Sequence, residues 1–340
     1  MDFRRIIKNA LVVNPVISRL FNIFRETTVY KSMVRSAVRV TSARILRDKE
    51  FIVQIETTNI CNAKCGFCPY VGMERGKGIM TDAIFNMIVR RLIAEDIHPF
   101  GFNVNGTGEP LVDKAIFKRI RILRDHFPDA IIKFHSNFNL ATSDSMIELI
   151  QSGLSEINIS FNGYNVAVYE EVMKIKYEKT LENIKHLLVL RKASGSPLKV
   201  RISMVLVAGN ESHEREFLDY WQSKVDSVSI NRPHDYSGKA QDLAGQNKVS
   251  YDTWHVPCKS LWGTITIGYN GDLLLCCLDH EGNHGLGNIM ESGILELFYQ
   301  RKLQELREKH LTGDLESAPM CRDCGVPHES GLTWFVKKAI

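Results

Sequence analysis

From about residue 51 to 235, short apolar runs alternate with stretches of helical spacing. The runs Phe51–Glu56, Gly101–Asn105, Ala130–Phe134, Glu156–Ser160, Lys199–Leu206 and Ser227–Asn231 read as strands. Between them, Asp82–Ala94, Lys114–His126, Ser143–Gln151, Lys179–Lys192 and Ser212–Trp221 carry apolar residues at helical intervals. Strands and helices in strict alternation predict an α/β fold with a parallel sheet and right-handed crossovers. Periodicity alone does not separate an open sheet from a partial barrel.

The flanks have other rhythms. In residues 1–50, Ile6, Ile7, Ala10 and Leu11, then Ile17, Leu20, Phe21 and Phe24, fall at helical spacing on either side of Pro15. Two short amphipathic helices and a third basic one around Tyr30 to Leu46 are expected there. Residues 236–250 are polar and read as a linker. Beyond them, Thr264–Ile267 and Asp272–Leu275 flank Asn270-Gly271, a hairpin signal in which both turn positions are expected at positive φ. A helix is expected from Ser292 to His310, with Ser292 as N-cap. The organisation read from these patterns is 1–50 basic helical extension, 51–235 α/β core, 236–253 linker, 254–330 C-terminal α+β unit and 331–340 tail.

Charge sharpens one part of this picture. The 340 residues carry a formal net charge of +4, which leaves no nucleic-acid footprint. Residues 1–50, however, hold eleven Lys/Arg against four Asp/Glu, a net of +7. Basic charge on amphipathic spacing suits a peripheral contact with anionic lipid, and equally a helical layer packed on the core. No apolar run reaches the roughly 18 residues of a spanning helix. Arg4 and Arg5 are not followed by a signal-peptide core, so a cytoplasmic setting is expected. Eight cysteines in a reducing compartment point to metal or redox chemistry rather than disulfides.

The cysteines fall in two groups. Cys61, Cys65 and Cys68 form C-x3-C-x2-C directly after the first predicted strand. Three thiolates on one loop can hold three irons of a [4Fe–4S] cube and leave the fourth open. A zinc knuckle is the alternative, which a missing fourth cysteine suits poorly. With Phe67 before the third cysteine, this stretch resembles the signature of the radical S-adenosylmethionine superfamily. The resemblance implies a partial (β/α)6 barrel over roughly residues 50–235. It also implies that the open iron binds S-adenosylmethionine, whose reductive cleavage gives a 5′-deoxyadenosyl radical that abstracts a substrate hydrogen.

Further residues follow the family's order. Gly106-Thr107-Gly108-Glu109-Pro110 resembles its glycine–glutamate–proline motif, which implies that Gly108 and Glu109 meet the methionine amino group. Phe67 matches the position near the adenine. Ser160-Phe161-Asn162-Gly163 resembles the stretch near the ribose, with Ser160 the matching residue and Asn162 standing where the family has Asp. Arg201 on the fifth strand is placed either against the methionine carboxylate or facing solvent.

Cys258, Cys276, Cys321 and Cys324 stand as C-x17-C-x44-C-x2-C, with Gly271 five residues before Cys276. This resembles the auxiliary-cluster domains of the same superfamily. No cysteine follows Cys324, so a twitch-type unit (β-hairpin plus helix) with one fully ligated [4Fe–4S] cluster fits better than a two-cluster SPASM domain. A four-thiolate zinc site is the alternative. Cys277 is left over. Strand alternation turns it away from Cys276, and its readings are a buried hydrophobe, a ligand in place of Cys276, or a hydrogen-atom donor to a substrate radical.

After the sixth strand, Arg232, His234 and Asp235 are candidates to orient or deprotonate a substrate hydroxyl. The one-cluster pattern resembles a dehydrogenase of aminocyclitol biosynthesis, which implies a small hydroxylated substrate oxidised with the auxiliary cluster as electron acceptor. The resemblance further implies a flavodoxin- or ferredoxin-like electron donor. A peptide-modifying enzyme, a radical epimerase and a non-catalytic iron–sulfur carrier stay open as alternatives.

Overall fold

The computed structural model describes residues 23–24, 27–207, 209–231 and 257–324. The helix expected before Pro15, all but residues 23–24 of the one expected over Ile17–Phe24, the linker 236–253, and Arg232, His234 and Asp235 lie outside the described residues. Six strands run in parallel: β1 (Glu50–Ile55), β2 (His98–Asn103), β3 (Ile131–Ser136), β4 (Glu156–Ser160), β5 (Lys199–Val205) and β6 (Ser227–Asn231). The sheet order is β6-β5-β4-β3-β2-β1-β7-β8, so the barrel is not closed.

The C-terminal hairpin extends this sheet. β7 (Thr264–Ile267) pairs in parallel with β1, and β8 (Leu273–Leu274) returns antiparallel to β7. The turn differs from the expectation at Asn270-Gly271. Gly271 Nα donates to Gly268 O at 2.9 Å, and only Gly271 (φ 89°) takes the left-handed region. A turn followed by a left-handed glycine replaces the two-residue loop.

Strand alternation creates two unlike faces. Phe51, Val53 and Ile55 on β1, Ile132 and Phe134 on β3, Ile157 and Ile159 on β4, and Val200, Ile202 and Met204 on β5 are all fully buried against the outer helices. Between them on β3, β4 and β5, His135, Asn158, Ser160 and Ser203 are polar and line a cavity, and Arg201, in register with Asn158, shares their alternation. Parallel strands usually read as continuous apolar runs, so this polar face marks where a ligand is received.

Helix α1 (Thr28–Asp48) starts at Thr27, whose hydroxyl accepts from Tyr30 N, and buries Tyr30, Val34, Val38 and Ile45 along one stripe. Its far side keeps Arg39 and Arg44 exposed. The C-terminal part of the basic extension is thus a layer packed on the core. No helix among the described residues is long and apolar enough to cross a membrane.

The helix expected over Ser292–His310 is two: Ile294–Phe298 and Arg301–Thr312. Tertiary contacts break it. Gln300 turns extended while its side chain donates to Leu286 O and Leu297 O, and Tyr299 Oη donates to Leu46 O. Gly293, not Ser292, caps the first piece, and its opening amides Ile294 N and Leu295 N donate to the Glu95 carboxylate at 2.9 and 2.7 Å.

Candidate functional site

β1 delivers Glu56 to Ile60 at the C-terminal edge of the sheet, and the first three cysteines follow. The loop they sit on is tied at both ends. Asn59 is fully buried; it donates to Gly76 O and accepts from Gly78 N, both at 2.8 Å. Met80 N donates to Thr57 O at 2.7 Å. Near the second cysteine, Lys64 N and Gly66 N donate to Met173 O and Val172 O, and the Cys65 thiol lies 3.4 Å from Met173 Sδ.

Gly108 locks the glycine–glutamate–proline stretch onto this loop. A Cβ there would sit 2.5 Å from Thr58 O and 2.7 Å from Ile60 O, and Glu109 N donates to Ile60 O at 2.9 Å. Gly106 rests on the Glu56 side chain in the same way. Glu56 is almost fully buried and is held by Arg75 (2.9 Å) and Thr107 N (3.0 Å). Removing one partner of such a buried pair costs about 3–5 kcal/mol. Neither residue stood out in the sequence, because their pairing spans nineteen positions.

Cys61, Cys65, Phe67, Cys68, Gly106, Gly108, Glu109, Ser160 and Asn162 line one cavity of about 430 Å³. The structure thereby brings together the cysteine loop, the glycine–glutamate motif and Ser160. Asn162 braces the wall: its Oδ1 accepts from Val205 N at 2.8 Å and its Nδ2 lies 2.9 Å from Met173 Sδ. Arg201 does not line the cavity. It sits in register with Asn158 and donates to Ser229 Oγ at 3.2 Å.

Electrostatics fit a cluster and an ammonium-bearing ligand. Burial pushes the Cys61 thiol up to about 12 and raises Cys65 and Cys68, so metal must displace protons to bind. Glu109 accepts from Ser136 Oγ (2.6 Å), Asn137 N (2.7 Å) and Leu111 N (3.1 Å). Burial nevertheless lifts it to about 7. A carboxylate that three donors do not fully compensate has use for a cation. Asn105 Oδ1, beside Gly106, is buried without a hydrogen-bond partner and lines the same cavity. These features suit the α-amino end of S-adenosylmethionine next to a cube on Cys61, Cys65 and Cys68.

The second cysteine group also converges. Cys258, Cys276, Cys321 and Cys324 line a small cavity of about 40 Å³, walled by Leu261, Leu275, Leu278 and Met320. Burial raises Cys258, lifts Cys276 well above its ordinary value and pushes Cys321 up to about 12. Cys277 lines this cavity too, against the expectation that alternation turns it away. β8 ends at Leu274, so both cysteines lie past the strand, where alternation no longer holds. Cys277 is exposed as a residue, yet enough protein surrounds its sulfur to push the thiol up to about 11. It does not line the cavity of the first three cysteines. None of the eight cysteines is in a disulfide.

The auxiliary unit is strapped to the catalytic loop. Tyr269 Oη donates to Gly76 O at 2.9 Å, and the ring lies so close over Gly78 that a Cβ there would clash. Glu281 accepts from Glu74 N and Arg75 N at 3.2 and 2.9 Å.

Comparison with known proteins agrees with this geometry. The radical SAM superfamily model matches residues 55–220, and an iron-sulfur cluster-binding domain model (SPASM) matches residues 258–325. An S-adenosyl-L-methionine-dependent 2-deoxy-scyllo-inosamine dehydrogenase of Niallia circulans is 20% identical over 279 residues, covering 82% of this chain and 94% of that protein. A protein of Methanothermobacter thermautotrophicus named "Probable GTP 3',8-cyclase" is 26% identical over 168 residues, 48% of this chain, and the match spans half of that protein's length. Among solved structures, BtrN in complex with AdoMet and 2-DOIA superposes with a TM-score of 0.56 at 16% identity, over 80% of this chain and 92% of that one. Streptococcus suis SuiB bound to the precursor peptide SuiA gives 0.61 at 16% identity, over 79% and 70%. With a cysteine loop, a glycine–glutamate cradle and a second thiol cluster on one sheet, the chain belongs to the radical SAM superfamily and takes S-adenosylmethionine, a catalytic [4Fe–4S] cluster and an auxiliary cluster in a C-terminal SPASM-type domain.

Proposed function

We propose that this enzyme oxidises a secondary alcohol on a small polyhydroxylated ring, a cyclitol or aminocyclitol. The observation that carries the reading is the cavity wall facing the three cysteines. Asn105, Asn137, Asn158, Ser160, Ser203 and Asn231 line it with uncharged amides and hydroxyls. Among the described residues Glu109 is the one carboxylate there, and it is engaged with backbone and Ser136. Such a wall matches hydroxyl groups and, among the described residues, holds no Lys or Arg to meet an anionic substrate. The resemblance over 94% of a cyclitol dehydrogenase points the same way.

When bound, the two clusters and S-adenosylmethionine supply a 5′-deoxyadenosyl radical and an acceptor for one electron. Oxidising an alcohol to a ketone removes one hydrogen atom, one proton and one electron, so both clusters have a use. Cys61, Cys65 and Cys68 hold the catalytic cube, and Gly108 and Glu109 receive the methionine amino group. Ser160 and Phe67 line the same cavity and would meet the ribose and the adenine. Cys258, Cys276, Cys321 and Cys324 hold the auxiliary cluster, and Tyr269 and Glu281 fix that unit against the catalytic loop. Because Cys277 lines the auxiliary cavity and not the substrate cavity, it is not placed to return a hydrogen atom, which favours oxidation over epimerisation. A flavodoxin- or ferredoxin-type protein would supply the starting electron.

Product analysis tests the reading. Reconstituted enzyme, reductant, S-adenosylmethionine and 2-deoxy-scyllo-inosamine or related cyclitols should give a product two hydrogens lighter. Cyclitols recovered unchanged, while a peptide substrate is modified, would overturn it.

A further inference from the structure

The floor of the substrate cavity contains a pair that no step above uses. His135, near the end of β3, and Asn158, on β4, are cross-strand partners in register and both line the cavity. Asn158 Nδ2 lies 3.2 Å from His135 Nδ1. An amide NH2 only donates, so Nδ1 accepts and the neutral ring carries its proton on Nε2. His135 is exposed as a residue, yet the protein around its ring and the nearby Arg201 charge hold it below the ordinary histidine range, in keeping with a neutral ring; Lys133, the other cation near it, is paired with Glu156 at 3.3 Å.

The other end of the amide is unsatisfied. Asn158 is 7% exposed, and its Oδ1 is buried with no hydrogen-bond partner. A buried acceptor left alone is costly, and a donor brought to it by a ligand would relieve that cost. The pair therefore offers one donor, Nε2–H, and one acceptor, Oδ1, in one layer of the sheet. A hydroxyl group needs that complement, since it both donates and accepts. A carboxylate or phosphate would leave Oδ1 facing negative charge, and an alkyl group would leave both unpaired.

We propose that His135 and Asn158 form the hydroxyl-recognition pair of this site, with His135 Nε2–H donating to a substrate hydroxyl that in turn donates to Asn158 Oδ1. This deepens the reading above and rests on it. Both are specificity-determining residues; neither is assigned a part in hydrogen abstraction.

The test combines turnover and binding on reconstituted enzyme, with 2-deoxy-scyllo-inosamine and scyllo-inositol as probes. Asn158→Leu, close in shape but without the acceptor, should raise KM roughly 10- to 100-fold with a much smaller change in kcat. His135→Gln keeps an N–H donor and should retain more affinity than His135→Leu. Calorimetry with S-adenosylmethionine present and no reductant should show the same losses without turnover. Iron content and thermal unfolding report whether each variant folds. If the wild type oxidises a probe while folded Asn158→Leu keeps its KM and affinity, the pair is wrong and the oxidase reading stands. Should the wild type oxidise neither probe, both fall together.

Discussion

Gly108→Ala isolates the contact that joins the cysteine loop to the cofactor-binding stretch. The added Cβ would lie 2.5 Å from Thr58 O, 2.7 Å from Ile60 O and 2.8 Å from Ile60 N. Gly108 does not occupy the left-handed region, so alanine carries no conformational penalty there and the effect is steric. All three neighbours are backbone atoms of the segment that ends at Cys61, and they are pinned by the bonds Glu109 N to Ile60 O (2.9 Å) and Ile60 N to Thr58 Oγ1 (3.1 Å). A flexible side chain could swing aside; this backbone cannot. Relief requires the two segments to part by about 0.5–1 Å, at a cost of about 1–3 kcal/mol. A shift of about 1 Å at a catalytic centre costs on the order of 10²-fold in rate.

Anaerobic formation of 5′-deoxyadenosine by Gly108→Ala should therefore fall about 10- to 100-fold at wild-type iron content. Gly72→Ala is the control. It lies four residues past Cys68, and a Cβ there meets nothing within 4 Å, so its rate should stay within about twofold of wild type. A fully loaded Gly108→Ala protein that cleaves the cofactor at the wild-type rate would refute the close-approach argument.

Three further outcomes follow from the site. Glu109 is lifted to about 7 by burial, so the folded protein keeps a proton that the unfolded chain sheds near the ordinary value of about 4.3. Its contribution to stability is full below that ordinary value and is lost as pH rises toward 7. Urea unfolding from about pH 5 to about pH 8 should show that slope in the wild type and lose it in Glu109→Gln; parallel curves would contradict it. Replacing Cys321 and Cys324 by alanine should remove about half of roughly eight irons, leave cofactor cleavage measurable and stop substrate oxidation; zinc found there in anaerobically purified protein would refute the redox role. With Cys276 as the proposed fourth ligand, Cys277→Ala should keep its iron and its product; loss of about four irons would make Cys277 the ligand.

Much of the fold was legible because its strands and helices are short, alternating and well bounded. Glu156–Ser160, Ser227–Asn231, Asp82–Ala94 and Ser143–Gln151 fall where the pattern put them. Helix Val166–Met173 was not, since eight residues burying only Tyr169 and Met173 leave too little period to read. The break at Gln300 was hidden for another reason: it is made by contacts with Leu286 and Leu46, not by a glycine or proline. In the site, the cysteines and Gly108-Glu109 announced themselves through spacing. Glu56, Arg75 and Asn59 did not, because their partners lie seventeen or more positions away. His135 and Asn158 did leave a signal, as polar residues at alternate positions of strands otherwise filled with Ile and Phe; it becomes readable once the inward face is known.

Deuterium transfer tests the central claim most directly. A cyclitol labelled at its carbinol carbon is incubated with reduced, reconstituted enzyme and S-adenosylmethionine, and the mass of the 5′-deoxyadenosine formed is measured. One deuterium appearing in 5′-deoxyadenosine, together with a ketone product, is the predicted result. Unlabelled 5′-deoxyadenosine beside unchanged cyclitol would contradict it.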